Sequence, residues 1–300
     1  MAKILIIKLG YSETLDKNIS TAPSLGDVLR TTVIVNFFKN DCVTWLVDKN
    51  ASALLEGNKY IKRILFYEDT VFNLLRKEKF DAVINLEKLP GICALSDSLE
   101  TRKFFGFGSK AKGAEELDEL SRSIEKRRQN QDCWQNILAR AIGERWRGQP
   151  YVLGYKPKSG IEYDIGLNLT TSNKWTNKAW PKEYWDELSS LIKGRYSVSR
   201  QKGMDNLCKY MDWINSCRLI ISADTLGLHL ALALKKRVIA LFGPTSPSEI
   251  HLYNCGISLT PDSAYKCIPC FLPYCNKKKQ CMEYILPETV MAKIKEGLNG

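Results

Sequence analysis

Short apolar runs alternate with longer amphipathic segments along most of the chain. The runs at residues 2–9, 42–47 and 81–86 are rich in aliphatic and β-branched side chains, a composition typical of buried parallel strands. The segments between them contain stretches with apolar residues at helical spacing. This alternation predicts an α/β fold in which helices cover both faces of parallel sheets.

A segment rich in glycine and proline at residues 143–160 interrupts this alternation and indicates a linker. The 300 residues of the chain are enough for two domains of ordinary size. We therefore predict two α/β domains, at residues 1–150 and 151–285. A last helical segment, residues 286–300, is expected to pack back across the domains.

The stretch from residue 218 to residue 250 contains a cluster of candidate ligand-binding residues. Two apolar runs bracket an apolar helix, and only Asp224, Thr225 and His229 interrupt that pattern. They follow the carboxyl end of a predicted strand, where open α/β sheets hold ligands and a helix start attracts phosphate. Thr245 follows the second run in a Gly-Pro turn at the same edge. An ordinary helix cap at Asp224 and a histidine bonded to a carbonyl explain the same residues without a ligand.

A second polar group stands at the start of the first amphipathic helix. Ser24 and Asp27 have the spacing of a capping box, with aspartate in place of the usual glutamate. A structural role at the helix start therefore competes with a catalytic role for Asp27.

The two segments together resemble the signatures of glycosyltransferase family 9, the ADP-heptose heptosyltransferases of the GT-B fold. The N-terminal signature is Gly26-Asp27-Val28-Leu29-x-Thr31, and the C-terminal one runs from Asp224-Thr225 through His229 to the Phe-Gly-Pro-Thr-x-Pro turn at residues 242–247. The family commonly has glycine directly after the aspartate-threonine pair. This chain has Leu226 there, followed by Gly227.

The resemblance implies two Rossmann-like domains whose parallel sheets face a central cleft. It also implies an inverting transfer that needs no catalytic metal or other cofactor. Asp27 would be the general base that takes the proton of the acceptor hydroxyl. Lys178, in a Lys-x-Trp-Pro motif, would contact the donor diphosphate and offset charge on the departing ADP. The expected donor-binding residues are Thr170, Thr171, Lys178, Asp224, Thr225, Gly227, His229 and Thr245.

The implied donor is ADP-heptose, and the implied acceptor is a hydroxyl of the lipopolysaccharide core or another lipid-linked surface glycan. A protein acceptor and a catalytically silent nucleotide-binding protein are the alternatives. The acidic residue that the family places near the donor ribose has no clear counterpart in this chain. Gln201 and Asp205 are the candidates to take its place. Further acceptor-side candidates flank the first domain's strand ends: Tyr11, Glu13, Asp16, Asn85, Glu87 and Lys88. A surface ion pair of Glu87 and Lys88 with each other or with other neighbours is the structural explanation for the last two.

Lysine and arginine exceed aspartate and glutamate by 11, so the surface should attract anions. The basic clusters at residues 126–128 and 277–279 fit either contact with an anionic membrane surface or a solvated face. Nucleic acid is the weaker candidate, because no arginine tract or aromatic-interleaved basic stretch is present. The sequence also offers neither a span of about 20 apolar residues nor a signal-peptide core, so we expect a cytoplasmic protein.

Four of the ten cysteines, Cys267, Cys270, Cys275 and Cys281, fall in a loop at residues 265–282. In a reducing compartment this cluster predicts a structural metal, because four thiolates complete a tetrahedral shell for zinc or iron. Reduced thiols and disulfides formed during handling are the alternatives. The spacing resembles the cysteine-rich tails of some relatives, including iron-binding heptosyltransferases that modify bacterial surface proteins.

Overall fold

A computed structural model describes residues 1–11, 23–204, 206–262 and 265–299. The chain divides into two compact units, Met1–Lys156 and Pro157–Gly300. Each unit is built on one five-stranded sheet, and every strand pairing in both sheets is parallel. The predicted α/β class is confirmed.

The strands of the first unit are β1 Lys3–Ile7, β2 Cys42–Val47, β3 Ile61–Phe66, β4 Lys79–Asn85 and β5 Glu100–Gly106. Their order in the sheet is β3-β2-β1-β4-β5. The chain reverses its direction of travel across the sheet between β1 and β4. Doubly wound sheets bind ligands at this switch point, beyond the carboxyl ends of the two strands.

Helices cover this sheet: α1 Leu25–Thr31, α2 Asp69–Arg76, α3 Pro90–Ser98, α4 Glu115–Arg122, α5 Ile124–Gln129 and α6 Trp134–Ala141. Two 3₁₀ helices lie at Thr32–Phe38 and Lys49–Leu54. The first amphipathic segment is thus an α-helix to Thr31 and a tighter 3₁₀ helix from Thr32 to Phe38. The core is aliphatic, with Leu5, Ile7 and Val83 of the central strands fully buried.

Residues 150–154 belong to the first unit although we predicted a domain boundary at residue 150. The Val152 N–H donates to Thr32 Oγ1 at 2.9 Å, and the Gly154 N–H donates to the Leu54 carbonyl at 2.9 Å. Asn58 also donates to the Val152 carbonyl. These bonds attach the start of the predicted linker to the first sheet's helices.

The strands of the second unit are β6 Tyr163–Asn168, β7 Val198–Arg200, β8 Cys217–Ala223, β9 Arg237–Leu241 and β10 Gly256–Leu259. Their order is β10-β9-β8-β6-β7, so the switch point lies between β6 and β8. Its α-helices are α7 Lys182–Ile192, α8 Leu207–Ser216, α9 Leu226–Ala233 and α10 Pro287–Asn299. Three 3₁₀ helices lie at Thr176–Lys178, Pro247–Glu249 and Cys281–Tyr284.

The final helix, α10, packs on the sheet of its own unit. Val290 and Ile294 are buried in one cluster with Leu219 and Ile239 of the sheet and Trp185 of α7. The expectation that this helix packs back across the domains stays a prediction. No helix in the described part of the chain combines the length and apolar character needed to cross a bilayer.

Candidate functional site

In the first unit, Asp27 of α1 lies beside the switch point and is paired with two cations. Its side chain is almost fully buried. Lys8, the residue after β1, contacts Asp27 Oδ2. Arg30 donates from Nε to Asp27 Oδ1 at 2.8 Å, and its Nη2 lies 2.6 Å from the same oxygen. Both carboxylate oxygens are therefore engaged by positive charge.

These neighbours decide the protonation of the pair. Burial alone would raise the pKa of Asp27, but the charges and hydrogen bonds of Lys8 and Arg30 hold it well below its usual range. Burial alone would lower the pKa of Lys8, and the negative charges of Asp27 and Glu87 raise it instead. Both groups are consequently ionised at neutral pH.

Glu87 is the second buried carboxylate at this edge. It accepts the backbone N–H groups of Leu9 at 2.7 Å and Gly10 at 2.6 Å, and it lies 3.5 Å from Lys8 Nζ. A surface pair between Glu87 and Lys88 does not form, because Glu87 is fully buried, whereas the alternative of a pair with another neighbour is met by Lys88. Lys88 is instead paired with Asp118 at 3.1 Å.

The other candidates at this edge have separate roles. The alternative of a capping box is not met: Ser24 makes no side-chain cap bond, and the Asp27 carboxylate is turned toward Lys8 and Arg30. Tyr11 donates to Asp48. Asn85 donates to the Phe107 carbonyl at 2.7 Å and so ties the end of β4 to the end of β5. Glu13 and Asp16 lie outside the residues that the structure describes.

In the second unit, Lys178 and Asp224 form a similar buried pair at the switch point. Lys178 Nζ donates to Asp224 Oδ2 at 2.8 Å and to the Asp224 carbonyl at 3.0 Å. The ammonium lies 4.5 Å from the centre of the Trp175 ring. His229 Nε2 is 3.8 Å from Asp224 Oδ1. Burial opposes ionisation of Asp224, but the charges of Lys178 and His229 hold its pKa below the usual range.

Thr225, and not Asp224, caps helix α9, so the ordinary cap proposed for Asp224 is wrong. The Thr225 side chain makes no cap bond. Its hydroxyl instead accepts from Asn168 Nδ2 at 3.1 Å and lies 3.2 Å from the Ser222 hydroxyl. Tyr210 in turn donates to Asn168 Oδ1 at 2.6 Å. This buried network fixes Thr225 at the end of β8.

Gly227 is required by this network. A Cβ atom there would lie 2.3 Å from Asn168 Nδ2 and 2.5 Å from the Tyr210 hydroxyl. Sequence reasoning missed both Asn168 and Tyr210. Asn168 had a readable signal, since it is a polar residue at the end of an apolar run that enters a switch point.

The remaining donor-side candidates lie at the carboxyl edge of the same sheet. Thr170 and Thr171 follow β6, and the Thr170 N–H donates to Gln201 Oε1 at 3.1 Å. Thr245 is buried just after β9. The structure therefore brings Gln201 close to the predicted phosphate residues, whereas Asp205 lies outside the described part.

The cysteine-rich loop, residues 265–282, packs on this edge. The Phe271 N–H donates to the Pro244 carbonyl at 2.8 Å, and Asn177 donates to the Leu272 carbonyl at 2.6 Å. A Cβ atom on Gly243 would lie 2.8 Å from Cys281 Sγ. The loop thus contacts both the turn that carries Thr245 and the residue before Lys178.

The same loop does not support the predicted zinc or iron. Among the described residues, which include all four of its cysteines, no three histidine, cysteine, aspartate or glutamate side chains are gathered to hold a metal ion. Burial, with smaller contributions from neighbouring cysteines, raises the pKa of Cys281 to about 12. The metal ligands Cys267, Cys270, Cys275 and Cys281 therefore stay a prediction.

Comparison with known proteins tests the resemblance to the family and identifies the fold. Residues 203–280 match the model of glycosyltransferase family 9 (heptosyltransferase). Lipopolysaccharide heptosyltransferase 1 of Pseudomonas aeruginosa is 28% identical over 148 residues, which cover 39% of this chain and only 38% of that protein. These matches confirm the resemblance to the family.

Two solved structures are similar over nearly the whole chain. The E. coli ADP-heptose lipopolysaccharide heptosyltransferase II is 13% identical with a TM-score of 0.69, and the match covers 99% of this chain and 98% of that one. The iron-containing dodecameric glycosyltransferase TibC from enterotoxigenic E. coli is 13% identical with a TM-score of 0.60, covering 99% and 77%. The fold is thus that of the GT-B glycosyltransferases.

The Gly227→Ala substitution tests the buried network. Alanine normally favours a helix over glycine by about 1 kcal/mol, but the new methyl group meets Asn168 and Tyr210. We expect a net loss of about 1–3 kcal/mol in the free energy of unfolding, measured by urea denaturation. Gly91→Ala in α3 is the matched control, because nothing lies within 4 Å of the added atom. Equal stability of the two variants would contradict this packing.

The two depressed aspartate pKa values predict acid sensitivity. The contribution of these two aspartates to folding stability is fully present above their unfolded-state pKa of about 4. It is lost as the pH falls toward their lower pKa values in the folded protein. The free energy of unfolding should therefore drop on acidification below about pH 4. The drop should be shallower in Asp27→Asn and shallowest in the double variant with Asp224→Asn. If the free energy of unfolding fell as steeply with acidification in both variants as in the native protein, groups other than these two aspartates would be responsible for the acid sensitivity.

Proposed function

We propose that this chain, which carries the signatures of glycosyltransferase family 9 on a GT-B fold, transfers heptose from ADP-heptose to a hydroxyl group. The acceptor in this proposal is the lipopolysaccharide core or another lipid-linked surface glycan. The observation that carries the proposal is the Lys178–Asp224 pair. It sits at the switch point of the second sheet, and Asp224 lies within the segment that matches the family.

The donor side of the proposal uses the residues around this pair. An ammonium group has three N–H donors, and Asp224 takes two of those of Lys178. The third N–H group would donate to an oxygen of the diphosphate. Thr170, Thr171, Thr225 and Thr245 would supply hydroxyl contacts, and the start of α9 near Gly227 would supply backbone N–H groups. His229, whose Nε2 lies 3.8 Å from Asp224 Oδ1, would be a further contact to the diphosphate.

The chemistry is a direct displacement with inversion at the anomeric carbon. The acceptor oxygen forms the new C–O bond while its proton passes to Asp27, and the bond to the diphosphate breaks with its electron pair leaving on ADP. Lys178 offsets the charge that develops on that leaving group. Because Lys8 and Arg30 hold Asp27 ionised, the carboxylate is ready to accept a proton. The same cations make it a weak base until the hydroxyl becomes acidic during bond formation.

A protein acceptor is the second candidate function. The cysteine-rich loop supports it, because its spacing resembles that of heptosyltransferases that modify surface proteins. A catalytically silent nucleotide-binding protein would retain ADP binding without any turnover. Mass spectrometry of products formed from ADP-heptose with a panel of glycan and protein acceptors separates these three outcomes.

Two substitutions test separately the proposed role of Lys178 in ADP binding and that of Asp27 in proton transfer. Lys178→Ala should weaken ADP binding measured by calorimetry about tenfold or more, because a charged contact to the diphosphate is lost. Asp27→Asn should lower the transfer rate by about 10²–10⁴-fold while ADP affinity stays unchanged. The exposed Lys182, four residues from Lys178, gives the matched control Lys182→Ala. Native ADP affinity in Lys178→Ala, or normal turnover in Asp27→Asn, would refute the respective role.

A lipid-linked acceptor also calls for a peripheral contact with an anionic membrane surface. The cysteine-rich loop exposes Leu272 and Tyr274 together with Lys277, Lys278 and Lys279, a combination of apolar and basic side chains suited to that surface. We expect co-sedimentation with vesicles containing anionic phospholipid, and weaker binding as salt increases. Equal binding to vesicles of neutral phosphatidylcholine would contradict the electrostatic basis of this contact.

A further inference from the structure

A cleft of about 490 Å³ opens beside the carboxyl ends of β4 and β5 in the first unit. Volumes between roughly 300 and 1,000 Å³ are typical of sites for small organic ligands. Lys88 and Phe107 line this cleft and also line a separate small cavity at Asp27. The cleft is therefore large enough for a ligand and lies next to the proposed general base.

The wall that carries Phe107 is fixed by bonds to the neighbouring strand. The Phe107 N–H donates to the Asn85 carbonyl at 2.7 Å, and Asn85 Nδ2 donates to the Phe107 carbonyl at 2.7 Å. Gly106 has a φ of +91°, and a Cβ atom there would lie 1.9 Å from the Asn85 carbonyl oxygen, so this close approach requires glycine. Asp97 also accepts the Ser109 N–H at 3.0 Å. Because the wall is already ordered, a ligand would bind without the entropic cost of ordering it.

The charges of the side chains that line the cleft cancel one another. Two side chains are cationic, Lys88 and Arg122, and two are anionic, Glu115 and Asp118. Asp118 joins the two cations, since it lies 3.1 Å from Lys88 Nζ and 2.9 Å from Arg122 Nε. Although the chain has an excess of 11 positive charges, this balanced lining gives an ionised ligand no net attraction. It offers hydrogen-bond donors and acceptors side by side, and a hydroxyl group can use both.

Apolar and small side chains complete the lining of the cleft. The small ones include Cys93, Ala111 and Ala114, and the Phe107 ring is half-buried beside them. Lys88 Nζ lies 4.9 Å from the centre of that ring, so apolar surface and paired charges are adjacent. A pyranose ring has the matching surface, because it combines an apolar C–H face with hydroxyl groups around its edge. Aromatic side chains provide apolar contact area with little loss of conformational freedom.

We propose that this cleft binds an uncharged sugar ring of the acceptor, with the C–H face of the sugar on Phe107 and its hydroxyl groups on Asp118 and Glu115. The inference rests on the proposed function and narrows its acceptor to a glycan that carries a neutral pyranose next to the sugar that reacts. The reacting hydroxyl group would belong to that adjoining sugar and lie near Asp27. Recognition of a sugar ring favours the glycan acceptor over the protein acceptor.

Binding of simple glycosides tests the proposal without any need for turnover. The probes are the methyl glycosides of glucose, galactose and N-acetylglucosamine, and methyl glucuronide is the charged counterpart of the first. We expect saturation-transfer NMR titrations of the full chain to show binding of at least one neutral glycoside and weaker binding of the glucuronide. The proposal would be overturned if no neutral glycoside bound, or if the glucuronide bound at least as tightly as every neutral glycoside.

Substitutions in the lining test whether the sugar binds in this cleft. Ala114→Leu adds bulk to the lining and should raise the dissociation constant of the preferred glycoside about tenfold or more. Ala94→Leu, at an exposed position of α3 outside the lining, is the matched control. Phe107→Ala removes the ring but keeps the backbone bonds to Asn85, and it should weaken binding about three- to tenfold. It also serves if Ala114→Leu fails to fold. Native affinity in either folded variant, or an equal loss in Ala94→Leu, would exclude this cleft as the sugar site.

Asp118→Asn distinguishes a binding role of the balanced charges from a purely structural one. The lining of this variant has two cations and only Glu115 as an anion, so it gains one positive charge. Methyl glucuronide should then bind about threefold or more tightly than to the native protein, because its carboxylate is attracted. The neutral glycoside loses a charged acceptor and should bind more weakly. A parallel loss of affinity for both ligands would show that Asp118 only maintains the shape of the cleft and would contradict the proposed contact.

ADP binding by the native protein separates this inference from the proposed function. Binding of ADP without binding of any neutral glycoside would remove only the sugar site in the cleft. Binding of a neutral glycoside without binding of ADP would remove the transferase proposal and leave the sugar site in place.

Discussion

A buried lysine–aspartate pair at the switch point of each sheet is the constraint around which this protein is organised. Lys8 with Asp27 and Lys178 with Asp224 are each nearly enclosed by protein. An isolated charge at such a position would be strongly unfavourable, and breaking one pair would leave its partner uncompensated. The strand ends and helices that carry the pairs are therefore held in register by electrostatics as well as by packing.

The proposed roles fall on opposite members of the two pairs. In the first unit the carboxylate of Asp27 is the reactive candidate, and Lys8 keeps it ionised. In the second unit the ammonium of Lys178 is the candidate, and Asp224 orients it from two acceptor atoms. In the proposed function, one kind of interaction would thus supply a base in one sheet and an electrophilic contact in the other.

Much of the fold was predictable because strands buried on both faces are apolar throughout. The strand at Cys42–Val47 has the predicted bounds, and the strand–helix–strand segment from Cys217 to Leu241 agrees with prediction to within a residue or two at its ends. The location of the candidate chemistry also followed from sequence, since strand ends at a switch point collect polar residues. The metal at the cysteine-rich loop stays a prediction, because spacing along the chain does not by itself fix how closely the four thiols approach one another.

The side chains that position the candidate residues could not be predicted in the same way. Lys8 looks like a polar residue that merely ends a strand, and its partner is set by tertiary contact with α1. In the basic run at residues 126–128, which we interpreted as solvated or membrane-facing, Arg127 is buried, because only the rotation of a short helix decides which residue turns inward. Asn168 and Tyr210 meet through the packing of α8 on the sheet, which no local pattern encodes.

Because the two ion pairs are enclosed, ionic strength should act on the exposed surface charges and not on the pairs themselves. The excess of 11 positive charges acts mainly through solvent, where the screening length is about 8 Å at physiological salt. The pairs themselves are shielded from mobile ions by the surrounding protein. Salt should consequently change how quickly anionic ligands are captured, while the internal geometry that receives them stays the same.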